Sequence, residues 1–409
     1  MTLIHKEVRV GNAKRFEAMA EMCQTPFYLF DEAAVVRRID DIRRALPGGV
    51  KVCYAMKANS FILKSAASAA DFVEVCSAGE FSTCRIVGVP NEKLVISGVY
   101  KERMPLAALI SSHAKVHRYT VESISQFELL ESMARECETT VPLLMRLTSG
   151  NQFGMDARDI GRIMADNRNN RFVDFRGIQF FSGTQKSSIG KMRSELESLD
   201  SLVAQFAELC SASSFELEYG LGLPVDYSEG NEQAAQFADR EFLAVLSESL
   251  ANMKFTGTKT LEIGRGIAAD CGTYVTRVVD IKNNRGQNYA IVDGGKHQMT
   301  FYGHELALRP PACRVYPERE TGSLENWAIC GSLCTASDIL VKQVHIDDLH
   351  IGDRVVFPNA GAYCMTEGLA LFLSRDLPRV YLCDEFGTVR LVRERIETSG
   401  MNTPQDWRE

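Results

Sequence analysis

A lysine at the end of an apolar run is the first residue of this 409-residue chain that could do chemistry. It is Lys57, in "VCYAMKANS" (52–60). A lysine so placed commonly caps a strand and turns its ammonium to solvent. Among apolar neighbours it can instead lose its proton and attack a carbonyl. Other polar residues end similar runs: Glu74 and Ser77, then Arg146, then Ser182, Gly183 and Thr184, then Gly220 and Gly222, then Glu262 and Arg265. Glycines and a hydroxyl let backbone amides approach a phosphate, and an arginine can grip one through two parallel hydrogen bonds. A carboxylate opposite the lysine can keep a pyridine nitrogen protonated.

These residues need elements to bring them together. Eight short apolar runs supply them: 50–56, 72–75, 93–97, 116–121, 141–147, 177–181, 215–219 and 259–263. Between most lie segments of helical spacing. In 189–210, Met192, Leu196, Leu199, Leu202, Val203, Phe206 and Leu209 share one face. "SAGE" (77–80) is a capping box, in which Ser77 takes the amide three residues on and Glu80 reaches back. Eight strands alternating with helices predict an α/β fold, a (β/α)8 barrel, whose strand ends all face one site. A doubly wound sheet is the alternative, but its glycine-rich fingerprint is missing. The ligand that unites phosphate, aldehyde and pyridine is pyridoxal 5′-phosphate.

The length suits two domains. We place the barrel at 30–266 and a β-rich domain at 1–29 with 267–409. In the latter, "KNNRGQ" reads as a hairpin turn between two strand-like runs. The net charge of −7, with no basic block, argues against a nucleic-acid partner. No run of about 18 apolar residues is present to span a membrane. The opening "MTLIHKEVRVGNAKRF" lacks the order of a signal peptide. The 12 cysteines lack paired spacing, "CGSLC" (330–334) included, and no metal site is expected. The thiols are read as reduced and the location as cytoplasmic. His297 and His304 are read as surface histidines.

In order and spacing, "YAMKANS", "VEVCSAGEF", "RLTSGNQFGM", "SGTQ", "YGLGLP", "EIGR", "CGSLCTASD" and "GDRVVFPNAGAY" resemble the fold-type III pyridoxal-phosphate decarboxylases. That group includes the diaminopimelate, ornithine and arginine decarboxylases on an alanine-racemase-like barrel. The resemblance covers nearly the whole chain. It implies that Lys57 is the Schiff-base lysine and that Glu262 partners the pyridinium. Gly183, Thr184, Gly222, Gly264 and Arg265 fall at the phosphate, Glu74 near the lysine end of the cofactor, and Tyr363 at the cofactor. Phe181 stands where many relatives place a ring-stacking histidine. Cys334 matches a catalytic cysteine that protonates the product and reaches the other subunit's site, so a homodimer is implied. Arg146, Thr335 and Asp338 fall at the substrate.

The departures bear on the substrate. The aligned place of a carboxylate-binding arginine falls near Gln298, and Thr335 replaces an acidic residue. Neither diaminopimelate nor a basic amino acid is favoured, although Asp338 could hold an amine. Some similar relatives act in secondary metabolism on modified amino acids or on aminoacyl groups held by carrier proteins. We therefore expect a biosynthetic decarboxylase giving an amine and carbon dioxide. A racemase on the same barrel is the alternative, but the racemase has an arginine in place of Glu262. A non-catalytic relative would have lost Lys57 or Cys334. A hydrolase using Glu74 and Glu262 would leave Lys57 unexplained.

Overall fold

Strand β1 (Phe27–Asp31) precedes eight parallel strands: β2 (Lys51–Ala55), β3 (Phe72–Val75), β4 (Leu94–Ile96), β5 (Arg118–Val121), β6 (Val141–Leu147), β7 (Val173–Phe181), β8 (Glu216–Gly220) and β9 (Thr258–Ile263). These eight close on themselves, β9 pairing with β2, in the (β/α)8 barrel the sequence predicts. The computed structural model describes residues 23–210, 214–228, 232–300 and 311–405. The strands are apolar because both of their faces are covered. Val73, Val75, Leu94, Val95, Leu143, Leu144 and Leu261 are all buried.

Local signals fix where the helices begin. Ser77 Oγ accepts from Glu80 N at 3.1 Å and starts the helix Ala78–Val87, which ends at Gly88 in the left-handed region. The Glu80 carboxylate reaches back to Cys76 N at 2.6 Å, one residue upstream of the position a capping box predicts. Ser123 caps Ile124–Glu136 in the same manner. On the long helix Ile189–Cys210, Met192, Leu196, Leu199, Val203 and Phe206 are buried as expected. Leu202 is half-buried, and Leu209 is exposed, contrary to the pattern.

Contacts divide the described residues into two units. One holds those of 36–225 and 233–267, and thus the barrel; the rest form the other. That second unit is β-rich: β10 (Gly272–Asn284), β11 (Gln287–Val292), β12 (Arg314–Tyr316), β13 (Leu324–Cys330), β14 (Ile339–Asp347), β15 (Arg354–Phe357), β16 (Arg379–Cys383) and β17 (Val389–Arg393). The sheet runs β14-β13-β11-β10-β1-β16-β17, with β15 joining β10 to β12. Phe27, Leu29, Val275, Val356, Cys383 and Val389 form a core cluster. The predicted hairpin joins β10 to β11 through Arg285 and Gly286, both at positive φ, a turn that follows the strand twist. The alternating opening segment lies outside the described residues.

Candidate active site

Lys57 does not itself end a strand. β2 stops at Ala55, and one 3-10 turn, Met56–Ala58, presents the lysine between two buried neighbours. β2 pairs with β3 on one side and β9 on the other, in a register that sets Ala55 beside Glu74 and Cys53 beside Glu262. Two carboxylates therefore approach from opposite flanks. Lys57 Nζ donates to Glu74 Oε2 and, at 3.2 Å, to Glu262 Oε1; Cys76 Sγ lies 3.8 Å away. The second Glu262 oxygen accepts from Gln179 Nε2 at 3.0 Å. The sequence suggests apolar neighbours for the lysine, whereas the structure sets two carboxylates beside its amine.

Glu74 and Glu262 are both buried. Burial pushes both carboxyls up. In Glu74 the Lys57 charge and hydrogen bond outweigh burial and hold it below the usual carboxylate range. Glu262 also faces the Glu74 charge and stays above that range. The two acids thus differ in character although they share one cation.

Beyond β9 in the barrel, the loops after β7 and β8 carry glycines and lie against each other. Gly222 has φ +58, and a Cβ there would lie 2.3 Å from Gly183 O. Gly183 has φ +146, and a Cβ on it would meet nothing within 4 Å, so its backbone faces open space. The two loops are tied by Lys186 N to Gly222 O at 2.8 Å and by Gln185, whose side chain accepts from Val225 N and donates to Val225 O. Phe181 packs against Gly220, where a Cβ would be 2.5 Å from the ring. Thr184 is exposed beside Gly183. After β9, Gly264 leads into Arg265, which is buried. Two glycines at positive φ, with a hydroxyl beside Gly183 and a guanidinium after the next strand, fit a phosphate group. A lysine between two acids fits an aldehyde and a pyridine. The barrel residues therefore fit pyridoxal 5′-phosphate.

Arg146, expected at the substrate, has its Nη1 2.9 Å from Glu122 Oε1 and its guanidinium 4.8 Å above the Phe153 ring. Cys334, Thr335, Asp338 and Tyr363 belong to the β-rich unit. Cys334 is exposed. Thr335 Oγ1 is 3.0 Å from Ser337 Oγ. Asp338 is buried, and its two oxygens accept from Lys296 N and Leu333 N, each at 2.8 Å. Each oxygen thus holds one backbone amide and keeps a second lone pair. Tyr363 has φ +64, and its carbonyl accepts from Thr366 N and Glu367 N. Gln298 is enclosed: Tyr274 OH donates to its Oε1, and its Nε2 donates to Asp376 O. His297 is buried rather than at the surface, and burial pushes it down to about 4. His304 lies outside the described residues.

Sequence reasoning missed several residues. Gln179 orients Glu262. Lys186 is buried with its Nζ on Glu195, Tyr219 OH and Gly220 O. Lys101, pushed down to about 8 by burial, donates to Ser97 O and Gly98 O. Glu216 and Glu218 sit inside the barrel on β8. The alternation in "ELEYG" carries the signal for that last pair, because residues two apart on a strand share a face.

Comparison with known proteins agrees with this architecture. An L-glutamyl-[BtrI acyl-carrier protein] decarboxylase of Niallia circulans is 27% identical over 407 residues, covering 92% of this chain and 93% of that protein. A 2-[(L-alanin-3-ylcarbamoyl)methyl]-2-hydroxybutanedioate decarboxylase of Staphylococcus aureus is 25% identical over 380 residues, covering 87% and 93%. The crystal structure of diaminopimelate decarboxylase from Helicobacter pylori complexed with L-lysine matches with a TM-score of 0.81 at 20% identity, over 94% of this chain and 98% of that one, which supports the fold. A family model described as "Pyridoxal-dependent decarboxylase, C-terminal sheet domain" matches residues 27–361, a span that enters both units. On that match the chain belongs to the pyridoxal-dependent decarboxylases, with pyridoxal 5′-phosphate as its cofactor.

Proposed function

We propose that this carboxy-lyase acts on an aminoacyl group or modified amino acid in a biosynthetic pathway, with Lys57 as the residue that holds the cofactor. The placement of Lys57 Nζ between Glu74 and Glu262 carries the reading. The bound cofactor supplies an electron sink for the bond to the substrate carboxylate. Lys57 must lose a proton to act as a nucleophile, and both carboxylates lie within hydrogen-bond reach to take it. Glu262, with one oxygen held by Gln179, keeps a proton at the ring nitrogen. Gly183, Thr184, Gly222, Gly264 and Arg265 hold the phosphate, Phe181 offers a ring face for stacking, and Glu74 and Tyr363 flank the cofactor. Cys334, exposed, returns a proton to the product carbon. Arg146, Thr335 and Asp338 line the substrate.

The substrate assignment draws support from three observations. The relative from Niallia circulans acts on a glutamyl group on an acyl-carrier protein. Gln298 is engaged by Tyr274 and Asp376 and offers no positive charge to a distal carboxylate. Thr335 offers none of the negative charge that a distal ammonium would need. We also infer a homodimer with shared sites, which the exposed Cys334 supports, and a cytoplasmic location, which the unpaired spacing of the cysteines in the sequence supports. The test is carbon dioxide release from a panel of free amino acids and of aminoacyl groups on carrier proteins. A preference of about tenfold or more for a carrier-bound or modified substrate is expected. Equal or faster release from free diaminopimelate or ornithine would overturn the substrate reading.

A further inference from the structure

Three neighbouring strands place Gln179, Glu218 and Thr260 side by side inside the barrel: Gln179 is in register with Glu218, and Glu218 with Thr260. All three are buried, Glu218 and Thr260 at 0% exposure. Among the described residues, Gln179 Oε1, both Glu218 carboxyl oxygens and Thr260 Oγ1 have no hydrogen-bond partner. Adjacent strands lie about 4.8 Å apart, which is within reach for these side chains. An ionised Glu218 would turn two acceptors toward a third, the amide oxygen of Gln179. It would also add charge beside Glu216 on its own strand, Glu262 on β9 and Glu74 on β3. Glu216 is already paired with Arg118 at 2.9 Å, and Lys57 is engaged by Glu74 and Glu262. Cys53, on β2, is a further buried group nearby.

One proton removes both the facing acceptors and the added charge. A neutral Glu218 can donate to Gln179 Oε1, so that acceptors no longer face one another. Gln179 Nε2 already donates to Glu262 Oε2. We propose that Glu218 is a permanently protonated acid and, through Gln179, a positioning residue for Glu262. Donation then runs one way, from acid to amide to carboxylate, and fixes which Glu262 oxygen faces Lys57. Burial first, then the charges of Glu262, Glu216 and Glu74, push Glu218 far above the ordinary carboxyl range, and Lys57 opposes them only in part. The effect on cofactor binding rests on our reading of Glu262 as the partner of the ring nitrogen; the proton on Glu218 does not.

The test is infrared difference spectroscopy of cofactor-free protein near neutral pH, parental minus Glu218→Gln. The carbonyl band of one protonated carboxyl should disappear in the variant. A carboxylate band lost instead would overturn the proposal. A second measurement follows the pH dependence of pyridoxal 5′-phosphate uptake. Gln can still donate to Gln179, so Glu218→Gln should keep the parental midpoint, whereas Glu218→Leu should displace it by about half a unit or more. Equal displacement in both variants would exclude the positioning role. Failure of the underlying site reading looks different: Lys57→Ala protein would still bind the aldehyde covalently while the infrared result stood.

Discussion

Lys57 Nζ lies 3.2 Å from Glu262 Oε1 although 205 positions separate the two residues in the chain. They meet because β2 and β9 form the pair that closes the barrel. The first and last barrel strands thus bring together a lysine and a buried acid. That acid stays above the usual carboxyl range because burial and Glu74 outweigh the lysine.

Lys57→Ala should remove covalent attachment of the cofactor. The visible absorption of the lysine-bound form should vanish, and carbon dioxide release should fall by about 10²–10⁴-fold or more. The decisive readout is absorbance after reduction with borohydride. Label fixed at position 57 in the parental protein and absent in the variant is the expected result.

Glu262→Gln should retain the cofactor and lose rate. An amide cannot hold the ring nitrogen protonated as a carboxylate can, so decarboxylation should slow by on the order of 10²-fold. Cofactor titration and carbon dioxide release, measured on one preparation, separate the two effects. A parental rate in the Gln variant would remove the electron-sink argument.

Gly222→Ala should disturb the loops after β7 and β8. A non-glycine residue at φ +58 costs about 1–2 kcal/mol. The added Cβ would also press on Gly183 O, 2.3 Å away. We expect lower stability in denaturant titration together with weaker binding of pyridoxal 5′-phosphate. Binding of pyridoxal, which lacks the phosphate, should change less.

His297 makes stability depend on acid. Burial lowers it from 6.5 to about 4, so between those values the unfolded chain binds its proton and the folded protein does not. Stability therefore falls as the pH drops through that window, by about 3 kcal/mol at most from this one group. His297→Asn should flatten that part of the profile when unfolding free energies are compared at several pH values. Profiles with the same slope in both proteins would contradict the assignment.

Much of the fold was legible because a barrel strand buried on both faces has to be apolar. Each of the eight runs read from the sequence coincides with a barrel strand, although β7 begins at Val173 rather than at 177. The β-rich character of the second unit was also legible, from turn residues such as Gly286. The inward-facing polar groups were harder to see. Glu218 and Gln179 occur inside runs judged by their apolar neighbours, and only the closed register shows that they meet Glu262's neighbourhood. His297 was misplaced for a related reason: a polar side chain in a stretch with two glycines reads as surface, and its burial comes from residues distant in the chain, Asp338, Arg375 and Asp376 among its neighbours. The pairing of Arg146 with Glu122 joins β6 to the residue following β5, a relation no local pattern encodes.

The buried carboxylate of Asp338 accepts from Lys296 N and Leu333 N, and it sits so close to Gly295 and Gly331 that neither can carry a side chain. The segment bearing Cys334 is therefore anchored from within, by one carboxylate and two backbone amides. Anchorage and surface chemistry then become separate inheritances. The tip between Cys334 and Ser337 can trade one side chain for another over evolutionary time while its thiol keeps the same footing.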